Sequence, residues 1–154
     1  MNREGGTVTV FELLLPVFRP LRVPSTLECL LRVAVVRAAL KLLGYDRTRR
    51  WIDRRIARVP VQGDGSPQVV AAAEYAVAMG AAFFPGRAQC LERSLVLYDY
   101  LRRHGISVQM RLGIQRYPFM AHAWVEYRGV PINDVPEHVR IFTALDAPAQ
   151  RSGS

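Results

Sequence analysis

The sequence predicts an α+β domain in which a helical amino-terminal half is followed by one more helix packed on an antiparallel sheet. Three observations carry this expectation. Residues 25–84 contain apolar segments of helical length with start and stop signals. After Gly105 the spacing of apolar residues changes from three or four to two. The alternating runs that follow are separated by turn residues, as in hairpins.

Taken in order, residues 7–14 (TVTVFELL) fit either a short strand or a helix start, because a short apolar run has no decisive period. Pro20 and Pro24 mark a loop. Ser25 or Thr26 is suited to cap a helix to about Leu43, stopped by Gly44, with Leu27, Leu30, Leu31, Ala34, Ala38 and Leu42 on one stripe. Asp46 is placed to cap the next helix, running to Val59 and carrying Arg47, Arg49, Arg50, Arg54, Arg55 and Arg58 around Trp51 and Ile52. Residues 60–67 (PVQGDGSP) read as a loop, and Ser66 with Pro67 opens a third, very apolar helix that stops before Pro85.

Pro85 and Gly86 break the chain ahead of a fourth helix with Leu91, Leu95, Tyr98 and Leu101 at helical spacing and Gly105 as its left-handed stop. Cys90 falls in its first turn, where unpaired backbone N–H groups favour an anion and hence a thiolate. Val108, Met110, Leu112 and Ile114 alternate with Gln109, Arg111 and Gln115 in a half-buried strand. After a turn at Tyr117–Pro118, a second strand puts Ala121, Ala123, Val125 and Tyr127 on one face and His122, Trp124 and Glu126 on the other. A three-residue loop at 127–129, with Gly129 left-handed, pairs Glu126 with Val130 and sets His122 opposite Asp134. A two-residue loop at Arg128 and Gly129 sends those two side chains to opposite faces, and the placement of Gly129 favours the longer loop. Residues 139–143 (VRIFT) are expected to add a last strand, and the tail from Ala147 is polar, small and expected to be disordered.

A thiol at a helix start, an imidazole on a strand and a carboxylate on its neighbour form a nucleophile, a base and an orienting acid. That set suits acyl transfer through a thioester. Cys29, in a helix without a histidine partner, reads as a packing residue, and His104 as a helix-end charge. His138, in the turn just after Asp134, is the competing base. For the oxyanion the backbone N–H of Cys90 is one donor, with Gln89 and Arg87 as side-chain candidates.

The order Cys, His, Asp on helix, strand and strand resembles that of the transglutaminase-like superfamily of papain-type cysteine proteases. More narrowly, RAQCLERSLVLYDYLRRHGISVQMRLGIQ with PFMAHAWVEYRGVPIND resembles the lasso-peptide leader peptidases, over about residues 80–140. The resemblance implies a papain/transglutaminase-like core with Cys90 as nucleophile, His122 as base and Asp134 as orienting acid. It also implies removal of a leader from a lasso-peptide precursor, with a small leader-recognition protein presenting the leader and an ATP-dependent cyclase closing the ring. Acyl transfer to an amine, or a non-catalytic scaffold docking precursor and cyclase, are the alternatives.

The chain has 154 residues, half of them hydrophobic, which suits one domain with a sizeable core, taken here as residues 1–146. Net charge is +8, and of 21 basic residues only Lys41 is a lysine. Arginines grip carboxylates in pairs, so an acidic peptide partner fits. Nucleic acid does not, because no basic stripe with interleaved aromatics is present. Two cysteines without a Cys-x-x-Cys pair speak against a disulfide framework and for a reducing cytoplasm. Three histidines and two cysteines show no zinc spacing, and no cofactor or metal is expected. Glu12 and Pro16 interrupt the first apolar run, so neither a signal peptide nor a membrane span is expected.

Overall fold

A computed structural model describes residues 23–63, 65–86 and 88–145. The expectations for residues 7–14, for a signal peptide, for Arg87 and for the tail lie outside these residues. Helix α1 (Thr26–Leu43) is capped by Ser25, whose hydroxyl accepts the Glu28 N–H at 3.2 Å. Gly44, at φ 77°, both ends α1 and stands at the N-cap of α2 (Tyr45–Ile56). Asp46 therefore lies in the first turn of α2 and is not its cap. The Thr48 hydroxyl instead donates to Gly44 O at 2.8 Å. Helix α3 (Pro67–Ala82) begins where expected, with Ser66 accepting the Val69 N–H at 3.3 Å. Helix α4 runs from Cys90 to Arg103 and is closed by Gly105 at φ 76°.

The stripe expected on α1 is rotated. Cys29, Val33 and Val36 are buried, whereas Leu27, Leu31 and Leu42 are 66%, 58% and 82% exposed. An apolar helix has no single face that periodicity can select; the small face of α3 selects it here. At Gly80 of α3 a Cβ would fall 2.6 Å from the Cys29 Cβ, so the two helices meet backbone to backbone at that point. Helix α4 lies at the centre, with Leu95, Leu97 and Leu101 almost wholly buried against α1, α3 and the sheet.

The sheet is antiparallel, in the order β3-β2-β1-β4, formed by β1 (Gln109–Gln115), β2 (Met120–Tyr127), β3 (Val130–Pro131) and β4 (Thr143–Ala144). Ala123, Val125 and Tyr127 of β2 join the helical core, so His122, Trp124 and Glu126 occupy the other face. The expected three-residue hairpin loop is not formed. Tyr127 pairs with Val130 and Glu126 with Pro131, leaving a two-residue loop in which Arg128 and Gly129 both have positive φ, 52° and 75°. That is the turn whose twist matches the strands. The last strand also begins later than expected, because Pro136 at the first helical position starts a single helical turn, α5 (Pro136–Val139). Strand β4 then pairs Thr143 with Ile114 and Ala144 with Gly113 on β1.

Candidate active site

Despite the shorter loop, His122 and Asp134 meet. Under a two-residue register a continuous β3 would turn Asp134 away from His122, but regular pairing stops at Pro131. Ile132 N–H still donates to Val125 O at 2.9 Å, and the Asn133 side chain then takes the place of the backbone, its Oδ1 accepting the Val125 N–H at 2.8 Å. Freed from strand alternation, Asp134 bends towards His122, and its Oδ2 is hydrogen-bonded to His122 Nε2. Nδ1, the other ring nitrogen, has no hydrogen bond among the described residues.

Asp134 is held from three sides. Its Oδ2 also meets His138 Nδ1 at 2.9 Å, and its Oδ1 accepts the Val135 N–H at 2.7 Å. Partial burial alone would raise the Asp134 carboxyl. The hydrogen bonds from His138, Val135 and His122, with the nearby His122 charge, outweigh it and hold the group below its ordinary 3.8. His138 thus reaches the same carboxylate as His122, with the two rings 4.9 Å apart. His122, Asp134 and His138 also offer three possible metal-donor atoms within 4.8 Å of one another.

The imidazole of His122 is walled by aromatic rings. Phe142 stacks at 5.0 Å and Trp124 at 6.0 Å between centroids. Gly113, opposite His122 in β1, makes this possible, since a Cβ there would lie 2.9 Å from the Trp124 ring and 2.8 Å from the Phe142 Cβ. Trp124 is 4% exposed; its indole N–H donates to Glu126 at 3.0 Å, and Arg111 of β1 grips the other Glu126 oxygen at 3.1 Å.

Cys90 is the first residue of α4, half-buried, with its thiol in no hydrogen bond among the described residues. Its helix is nevertheless pinned to the strands that carry His122 and Asp134. One turn on from Cys90, Ser94 Oγ donates to Ala123 O at 2.9 Å and accepts from Asn133 Nδ2 at 2.8 Å. From the other side, Arg37 of α1 donates to Gly86 O at 2.8 Å and lies 3.7 Å from the buried Glu92, whose carboxylate accepts the Gln89 N–H. Gln89 itself is exposed at the N-cap of α4. Cys29 is wholly buried, and burial first, with the neighbouring Glu28 second, pushes its thiol up to about 11.

Ser94, Asn133 and Arg37 are not among the candidate site residues read from the sequence, although Asn133 belongs to the Asn-Asp pair of the resembling motif. Asn133 had a usable signal, adjoining the candidate Asp134 as a side chain able both to donate and to accept. Arg37 had a weaker one, as a charge inside the apolar run of α1.

One curated relative is the microcin J25-processing protein McjB of Escherichia coli, 36% identical over 50 residues, or 32% of this chain and 24% of that protein. The matched segment thus spans about a quarter of the length of that relative. No solved structure gives a significant match. The family model described as the transglutaminase-like superfamily matches residues 25–146, which takes in the helical half, the helix headed by Cys90 and all four strands. With most of its length inside that match, the chain belongs to the transglutaminase-like superfamily.

Proposed function

We propose that this chain is a cysteine peptidase that removes the leader from a ribosomally made lasso-peptide precursor, with Cys90 as nucleophile, His122 as base and Asp134 as orienting acid. The observation that carries the reading is the bond between Asp134 and His122 Nε2, which leaves Nδ1 for a thiol, on a strand tied through Ser94 to the helix that Cys90 heads. Catalytic hydrogen bonds are often long before substrate binds, so an unbonded Cys90 thiol fits a resting enzyme. The name of the Escherichia coli relative, a microcin J25-processing protein, supports the choice of substrate.

In this reading His122 takes the thiol proton as Cys90 Sγ attacks the carbonyl carbon at the leader's last residue. The tetrahedral oxyanion receives the Cys90 backbone N–H at the head of α4. As it collapses, His122 passes the proton to the departing amine of the core peptide, and the leader stays on Cys90 as a thioester. Water, deprotonated by His122, then releases the leader as a carboxylate. Asp134 stabilises the imidazolium formed in each half. The freed core amine is what a ring-closing, ATP-dependent cyclase needs, and a leader-recognition protein would present the precursor.

The test is intact-mass analysis of a lasso precursor from the same genome, incubated with this chain with and without the leader-recognition protein. Hydrolysis at one bond is expected, slow alone and faster with that protein. Cys90→Ala should abolish it, and His122→Ala should slow it by about 10²–10⁴, the usual worth of a positioned base. Equal rates with and without the recognition protein would remove the partner from the scheme. Unchanged cleavage by Cys90→Ala would refute the chemistry, and a product heavier by an amine would show transfer in place of hydrolysis.

A further inference from the structure

On the helical side of the molecule α1, α2 and α4 enclose an open groove of about 350 Å³. Its walls include Leu31, Val35 and Trp51, which are 58%, 54% and 37% exposed although large and apolar. Its floor holds Asp99 of α4, itself 7% exposed. Asp99 Oδ2 is taken by Arg32 at 3.2 Å and Arg103 at 3.4 Å, whereas Oδ1 is buried with no hydrogen-bond partner. A buried carboxylate oxygen without a donor is costly, and Asp99 is among the residues that line the groove. Asp99 lies nine residues after Cys90, roughly 14 Å along the helix at 1.5 Å per residue, so the groove is separate from the candidate active site.

Arg55 lines the groove, stacked at 4.5 Å over Trp51, and Arg47, Arg50 and Arg54 stand exposed on the same helix, α2, with Arg58 exposed just beyond its end. Only Arg49 of α2 has a recorded carboxylate partner, Asp53, among the described residues. Apolar walls, the Arg55 guanidinium and the further exposed arginines of α2 together favour an acidic, partly apolar occupant. We propose that this groove docks an acidic peptide segment of a partner protein. Such a segment would lay an apolar or aromatic side chain between Leu31, Val35 and Trp51 and set its carboxylates against Arg55 and the exposed arginines of α2. The inference goes beyond the peptidase reading and needs no thiol chemistry.

The test is selection of displayed random twelve-residue peptides on the whole chain, with affinities of the enriched peptides then read by fluorescence polarisation. Net-acidic peptides with an aromatic or leucine residue are expected. They should bind at least tenfold more weakly to each of Leu31→Glu and Arg55→Glu, both exposed positions whose folding is checked by circular dichroism. Affinity should fall with added salt. Cys90→Ala should bind the same peptides unchanged, which separates failure of the groove from failure of the peptidase reading. The proposal is overturned if nothing is enriched, if the enriched peptides lack acidic residues, if both variants bind them as the wild type does, or if a single-stranded oligonucleotide binds with the groove dependence expected of the peptides.

Discussion

Asn133→Ala should be among the most damaging single changes outside the apolar core. The side chain accepts the Val125 N–H at 2.8 Å and donates to Ser94 Oγ at 2.8 Å, and Ser94 in turn donates to Ala123 O. Val125 and Ser94 are both wholly buried, so water cannot replace what is lost. Stranding the Val125 N–H costs about 1–3 kcal/mol, and the lost bond to Ser94 adds about 1 kcal/mol. The sum centres near 3 kcal/mol, which for a chain of this size lowers Tm by about 9 °C at roughly 3 °C per kcal/mol. Thermal unfolding followed by circular dichroism measures this directly. The comparison with Ser94→Ala and the double variant should show coupling of about 0.5–3 kcal/mol, because the two side chains share one hydrogen bond. A Tm within 2 °C of wild type, or strictly additive effects, would refute the argument that this network ties α4 to the strands. The same variant should also slow cleavage, since Asp134 is the next residue.

Gly80→Ala should destabilise despite the better helix propensity of alanine, because the new Cβ would sit 2.6 Å from the Cys29 Cβ and 2.8 Å from the Leu30 backbone nitrogen. Overpacking of about 1–3 kcal/mol exceeds the ~1 kcal/mol propensity gain, and urea unfolding should show a lower midpoint. For His138→Ala the sign follows from Asp134, whose lowered folded value contributes stability above its ordinary 3.8 that is lost as pH falls through the lowered value. Removing His138 withdraws part of that, so the wild type should melt higher at pH 5 and the gap should close towards pH 2.5. A gap that widens in acid would contradict the assignment. In the native protein Cys29 should resist alkylation at pH 8, being wholly buried with its thiol pushed up to about 11, and should react once urea unfolds the chain.

Where the sequence spoke clearly, one physical cause dominated. Ser25, Ser66 and Gly105 each do one job at a helix end, and the change from helical to alternating spacing after Gly105 admits one reading. The core face of α1 was hidden because Leu27 and Leu31 are as apolar as Val33 and Val36; the choice between them depends on the small residues of α3, far along the chain. The hairpin register differs from the expected one because Arg128, a residue with a Cβ, adopts a positive φ as Gly129 does. The His122–Asp134 pairing nevertheless follows, by way of Asn133 replacing backbone with side chain, a substitution that alternation cannot reveal. His138, the competing base in the sequence, reaches the same Asp134 oxygen as His122, with the two rings 4.9 Å apart.

The central claim is that His122 works on Cys90. The most direct measurement is the rate of Cys90 alkylation by iodoacetamide at pH 7, followed by peptide mass in the wild type and in His122→Ala. The account predicts modification at Cys90 and not at Cys29, slowed at least tenfold when the imidazole is removed. Equal rates in the two proteins, both confirmed as folded, would contradict it.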